Sequence, residues 1–201
     1  MEFSATTSAP APAKARDIVT YGNPVLRTKG RAVGEINDDV RQLAADMLAT
    51  MHAAHGLGLA AQQVGVPLQL TVLDVSVVNQ EERPSALFID GEEAKLEDWM
   101  PLILVNPQLE LVGRERETAS EGCLSFPDIH ADIRRALRVR VHARRLDGGE
   151  VAFEATGLLA RALQHEVDHL QGVLFIDRMN SATRAGLAGR LKRLQRENER
   201  R

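Results

Sequence analysis

"ALQHEVDHLQG", residues 162–172, carries two histidines, His165 and His169, four positions apart, with Glu166 between them. Residues four apart on a helix stand roughly 5–6 Å from each other at Cβ, so two imidazoles in this spacing can share one metal ion. Leu158, Ala162, His165 and His169 then fall on one helical face. Glu166 is turned roughly 100° further round. A carboxylate there reaches a water polarised by the metal without ligating the metal itself, and can take and pass on that water's proton. A catalytic metal ordinarily has three protein ligands. The third one discriminates between enzyme folds.

One extension of the pattern is His-Glu-x-x-His-x-x-Gly-x-x-His. Gly172 matches its glycine, but Phe175 stands where the last histidine should be. A downstream carboxylate would have to be Glu197 or Glu199, both set among arginines close to the end of the sequence. The remaining candidate is Cys123 in "EGCLSFP", residues 121–127. A thiolate binds first-row metals strongly, and two His plus one Cys leave a fourth position open. A lone cysteine is also commonly just a small buried apolar residue. The residues by themselves leave both readings open.

The surrounding chain is that of an ordinary globular protein. Its 201 residues, 44% hydrophobic and 26% charged, suffice for one well-buried core or two small ones. A formal charge of -3 argues against a general nucleic-acid binder. The single cysteine excludes an intramolecular disulfide and suits a reducing setting. No apolar run approaches a membrane span. Residues 1–16, rich in Ala, Ser, Thr and Pro, lack the apolar core of a secretory signal and read as a disordered tail.

"DIVTYGNPVLR", residues 17–27, reads as a short strand and a turn. A helix is expected from about Asp39 to Ala54, capped by Asn37 or Asp38, with Val40, Leu43, Met47 and Met51 as its buried stripe. "GLGLAAQQ", residues 56–63, has the spacing of a dinucleotide fingerprint, but a helix precedes it where that motif needs a strand. Strands are expected over 68–78, 102–113, 138–148 and 150–155, the last two joined by a turn at Asp147-Gly148-Gly149. Residues 79–100, acidic and interrupted by Pro84 and Gly91, read as an irregular surface excursion. The metal-binding helix should span Gly157 to Leu170, with Thr156 as N-cap and Gly172 as its stop. A last helix starts near Ser181, with Leu187, Leu191 and Leu194 on one stripe and seven Lys or Arg against two Glu. That charge suits either a solvated face or docking on an anionic surface.

Together, "GLGLAAQQ" (56–63), "EGCLS" (121–125) and "QHEVDHL" (164–170) resemble the peptide deformylases, over a stretch running from about Asp17 into the final helix. The basic helical C-terminus is similar to that of the bacterial type 1 members. The resemblance implies an α+β fold in which antiparallel β-sheets pack around a central metal-binding helix, with an N-terminal and a C-terminal helix. Residues 17–180 would form the catalytic domain, and 181–201 a basic helix belonging to it. It implies that Cys123, His165 and His169 bind one divalent metal ion, Fe²⁺ in the cell, with Zn²⁺, Ni²⁺ or Co²⁺ accepted by purified protein. Glu166 would be the general base and acid. Gln63 and the backbone N–H of Leu124 would donate to the developing oxyanion, and one such preorganised donor contributes ~3–4 kcal/mol.

The family binds its peptide in extended form, which implies backbone pairing near Leu57, Gly58 and Gly122. The methionine side chain would enter a pocket at Leu158, Ala162 and the His165 ring. Glu121, Gln164 and Asp168 either orient the ligands or serve as ordinary caps and surface groups. The implied reaction removes the formyl group from the N-terminal formylmethionine of nascent polypeptides and releases formate. The implied setting is a cytoplasmic monomer that docks its terminal helix on the ribosome near the exit tunnel, with no membrane and no sequence-specific nucleic acid. Two positions depart from many relatives. His130 replaces an arginine or bulky residue. Arg161 occupies a position near the methionine pocket that is apolar in some relatives, where its stem could still pack with the charge turned outward.

Overall fold

The structure, a computed structural model, describes residues 12–198. Helix α1 spans Asp38–Ala53, and the Asn37 side chain accepts the Val40 N–H at 3.1 Å to cap it. Its expected stripe is buried: Met47 and Met51 are fully enclosed against Leu59, Leu70 and Val72. Each side chain of that size contributes roughly 1.5–3 kcal/mol when removed from water.

Seven strands follow: β1 (Gly58–Ala60), β2 (Leu70–Leu73), β3 (Ser85–Ile89), β4 (Glu92–Ala94), β5 (Leu102–Gly122), β6 (His130–Arg144) and β7 (Glu150–Thr156). They join in one antiparallel array in the order β1-β2-β5-β6-β7-β3-β4. The expected antiparallel α+β architecture is therefore observed, with all the strands in a single sheet. β5 and β6 run far beyond the stretches read from the sequence. Shifts in their register at Val105/Gln108 and Val112/Arg116 explain why simple alternation breaks down there.

Helix α2 (Gly157–Leu170) packs Leu158, Leu159, Ala160 and Leu163 onto Leu73, Leu104, Val139, Val141 and Phe153 of the sheet. Helix α3 (Ser181–Asn198) closes a separate cluster. Its Leu191 is buried there with Leu26, Phe126, Ile129 and Phe175, while Leu187 and Leu194 pack beside it.

Three expectations are corrected. Residues 79–100 are not irregular, because they contain the β3–β4 hairpin, which pairs Ala86–Phe88 with Glu154–Thr156 of β7. Residues 17–20 form no strand, although Val19 N–H bonds Gln63 O at 2.9 Å and Pro24–Arg27 make a turn of 3₁₀ helix. The Thr156 side chain does not cap α2; Pro84 O and Ser85 Oγ accept the Leu158 and Leu159 N–H groups instead, at 3.0 and 3.2 Å. Of the expected N-terminal tail, residues 1–11 lie outside the described residues. Lys14 N–H reaches Asp46 Oδ1 at 3.0 Å and Arg16 N–H reaches Thr50 Oγ1 at 2.8 Å, so that part of the segment is held on α1.

Candidate metal centre and substrate cleft

The C-terminal end of α2 is tightly fixed. Gly172, at φ 73°, lets the chain reverse so that Gly172 and Val173 N–H groups bond the His169 and Asp168 carbonyls at 2.9 and 2.8 Å. The Leu170 carbonyl accepts Gly30 N–H, Gln62 Nε2 and Gln69 Nε2 at 2.9, 3.2 and 2.8 Å. His165 and His169 therefore project from a helix whose C-terminal end is held by these hydrogen bonds.

Cys123 follows the end of β5, and the ligand atoms of Cys123, His165 and His169 lie within 4.8 Å of one another. Cys123 Sγ is 3.3 Å from His169 Nε2. His169 is 1% exposed, and burial pushes its pKa well below the ordinary value, so the ring is neutral with a lone pair to offer. His165 Nδ1 is 3.1 Å from Glu121 Oε2. A carboxylate at that distance holds the proton on Nδ1 and leaves Nε2 for a metal. Burial would raise Glu121, but hydrogen bonds and charge from His165 and Arg135 outweigh it and hold the carboxyl at about 2. Phe175, at the position where the extended pattern calls for a histidine, is a core residue whose ring centroid lies 6.0 Å from that of His165.

Glu166 lies beside this triad, 4% exposed, and its Oε2 is buried with no hydrogen-bond partner among the described residues. Burial pushes its pKa up to about 7. A carboxyl in that range can both accept and return a proton at neutral pH. The Gln63 amide is oriented through its Oε1, which accepts Ala60 N–H at 2.8 Å. Its Nε2 is thereby turned toward Cys123 Sγ at 3.5 Å and Ser125 Oγ at 3.4 Å. The Leu124 N–H donates to no backbone carbonyl among the described residues.

A cleft of about 770 Å³ opens over these groups. Its lining includes every residue expected to contact substrate: Leu57, Gly58, Gly122, Leu158 and Ala162. It also includes Cys123, His165, Glu166, Gln63 and Leu124, whereas His169 lies deeper. His130 lies directly over Gly122, where an added Cβ would stand 2.7 Å from the imidazole.

Of Glu121, Gln164 and Asp168, expected either to orient the ligands or to be ordinary caps and surface groups, only Glu121 bonds to one of Cys123, His165 and His169. Gln164 accepts Ala136 N–H and donates to Ala136 O, both at 2.9 Å, and so fastens α2 to β6. Asp168 accepts Arg135 Nη1 at 2.5 Å and Arg178 Nη2 at 2.6 Å. Arg161 is the reverse of the expectation: its guanidinium turns inward and bonds Glu121 Oε1 at 2.8 Å. Arg135, on β6, was not anticipated at all. Ala131, Ile133 and Arg135 alternate as buried residues, so strand parity points Arg135 inward, but only once β6 is known to start at His130.

A thiol and two imidazoles grouped beside a buried carboxyl, in an open cleft, match the class of metal-dependent hydrolases. Comparison with known proteins narrows it. The sequence profile of the polypeptide deformylase family matches residues 15–185. A peptide deformylase of Methylacidiphilum infernorum is 44% identical over 179 residues, 89% of this chain and 92% of that one. A peptide deformylase of Synechococcus elongatus, solved in complex with actinonin, superposes with a TM-score of 0.73 at 35% identity, covering 92% of each chain. A variant of Arabidopsis thaliana peptide deformylase 1B gives 0.78 at 32% identity, again over 92% of each. The chain belongs to the polypeptide deformylase family, and its reaction is removal of the N-formyl group from nascent peptides. No helix among the described residues is long and apolar enough to cross a membrane.

Proposed function

We propose that Cys123, His165 and His169 hold one divalent metal ion and that Glu166 moves the protons of formyl-amide hydrolysis. The observation that carries this is the convergence of three potential ligand atoms within 4.8 Å, beside a buried Glu166 oxygen with no hydrogen-bond partner among the described residues. A bound divalent ion would supply Lewis acidity at this point, activating water and polarising the formyl oxygen.

The chain's own groups account for the rest. Glu166 takes a proton from the attacking water and returns it to the nitrogen as the C–N bond breaks, so formate and a free amino terminus leave. Gln63 Nε2–H and the Leu124 N–H donate to the oxygen that gains charge. The peptide lies extended along Leu57, Gly58 and Gly122, with the methionine side chain at Leu158, Ala162 and the His165 ring. The N-formylmethionine terminus of nascent chains is the substrate that fits this arrangement.

The metal is Fe²⁺ in the cell, and the His₂Cys set accepts Zn²⁺, Ni²⁺ or Co²⁺ in purified protein. Residues 17–180 act as one catalytic domain. The burial of Leu191 supports counting 181–201 as part of it. The protein works as a cytoplasmic monomer whose basic terminal helix docks on the ribosome near the exit tunnel, engaging neither membrane nor specific nucleic-acid sequences.

The deciding assay is formate release from formyl-Met-Ala-Ser by the metal-loaded protein. Glu166→Ala should abolish release while retaining metal; full activity in that variant would refute the mechanism.

A further inference from the structure

Arg161 stands one helical turn before His165 on α2 and is 6% exposed. Its Nη1 donates to Glu121 Oε1 at 2.8 Å, to Ile133 O at 2.9 Å and to Ala119 O at 3.5 Å. Its Nη2 donates to Glu117 O at 3.1 Å and lies 3.6 Å from Glu117 Oε2. Ala119 and Ile133 face each other across the β5–β6 ladder, so one guanidinium binds both strands at once.

Glu121 is saturated by this arrangement. Oε1 accepts Arg135 Nε at 3.0 Å and Arg161 Nη1, while Oε2 accepts Arg135 Nη2 at 3.0 Å and faces His165 Nδ1 at 3.1 Å. Arg135 comes from β6 and fixes the carboxylate plane with a bidentate pair. Arg161 bonds both that carboxylate and the β5 backbone from the helix that carries His165 and His169. Two residues beyond Glu121, just past the end of β5, comes Cys123. The separation between thiolate and imidazoles is thus set in part by a charged tie from α2 to the β5 backbone, beside the His165–Glu121 contact and the Arg135 bridge from Glu121 to Asp168.

We infer that Arg161 is a positioning residue for the metal site, setting the spacing of Cys123 against His165 and His169 through Glu121 and the β5 carbonyls. This rests on the assignment of those three residues as ligands. A buried cation with several hydrogen bonds is costly to place and gives a defined geometry in return, which an apolar residue of equal length cannot reproduce. Arg161→Met leaves the carbonyls of Glu117 and Ile133 without this donor and frees α2 to shift against β5.

The test is anaerobic titration of the chelator-stripped protein with Co²⁺, reading affinity together with the thiolate charge-transfer and d–d bands. Arg161→Met should bind Co²⁺ about 10-fold or more weakly, with altered bands, the scale seen when groups that orient metal ligands are removed. Arg161→Lys keeps one charge on Glu121 but not the fork, and should recover part of the affinity. Leu43→Ala, a core truncation on α1, should lower stability while leaving affinity and spectrum unchanged. A folded Arg161→Met protein with the wild-type affinity and bands overturns the inference. Should that variant not fold, Arg161→Lys decides: intermediate affinity supports the inference and wild-type affinity with wild-type bands overturns it. A wild-type protein that shows no thiolate charge-transfer band on Co²⁺ addition would instead refute the ligand assignment beneath it.

Discussion

Gly58 packs flat against the Glu166 carboxyl group: a Cβ at Gly58 would stand 2.8 Å from Glu166 Cδ and closer still to Oε1. The lack of a side chain at Gly58 on β1 is therefore a condition for where the Glu166 carboxyl group lies. Gly58→Ala should push Glu166 out of line, lowering kcat/KM for formyl-Met-Ala-Ser by roughly 10–100-fold, since small misplacements at a reacting centre cost that much. Metal content should stay unchanged. Wild-type kinetics in that variant would show that the carboxyl group has room to spare.

Gln63 makes two separable contacts, because its Oε1 accepts Ala60 N–H while its Nε2 points at Cys123 Sγ. Gln63→Glu keeps the acceptor and the shape but removes the donor and adds a charge. The expected result is a fall in kcat of about 100-fold or more with little change in thermal stability, in keeping with the loss of one oxyanion donor. If stability falls while kcat holds, Gln63 is structural only. Steady-state kinetics beside a melting curve distinguish the two.

Asp177 pairs with Arg27 and caps its own turn by accepting Leu174 N–H at 2.9 Å, tying the segment after α2 to the start of the chain. Burial would raise its pKa, but the bonds from Arg27 and Leu174 and the charges of Arg27 and Arg184 prevail and hold it below the usual carboxylate range. A depressed carboxylate stabilises the fold above its unfolded pKa, and that contribution is lost as pH falls through the folded value. Both partners are partly exposed, so the gain at neutral pH should be no more than about 1 kcal/mol. Asp177→Asn should melt below wild type at pH 7, and the two curves should converge at acid pH. A gap that persists in acid would show that the effect is not ionic.

Removing all of α3 would uncover Leu191 and its cluster, so ribosome docking is better tested by charge. Arg184, Lys192 and Arg196 are exposed on that helix. Replacing all three with Gln should weaken co-sedimentation with ribosomes and flatten its dependence on salt, since each lost phosphate contact reduces the slope. Formate release from a free tripeptide should be unaffected. Undiminished association would place the contact elsewhere.

Much of the chemistry was legible in one dimension because it is local. The spacing of His165, Glu166 and His169 is a property of the helix itself, as is the buried stripe of α1, and Asn37 caps its helix with atoms three residues apart. The lone Cys123 could be singled out as a candidate, and only the resemblance carried by three short segments proposed it as a ligand. What the sequence could not decide is everything that depends on strand pairing. The β3–β4 hairpin in residues 79–100 holds its place through β7, and its preceding backbone caps α2 in place of Thr156. The inward turn of Arg161 depends on Glu121, Ala119 and Ile133 arriving from two strands whose lengths and bulges no periodicity showed. A buried charge takes its direction from its partners, and here those partners are brought to it by the pairing of β5 with β6.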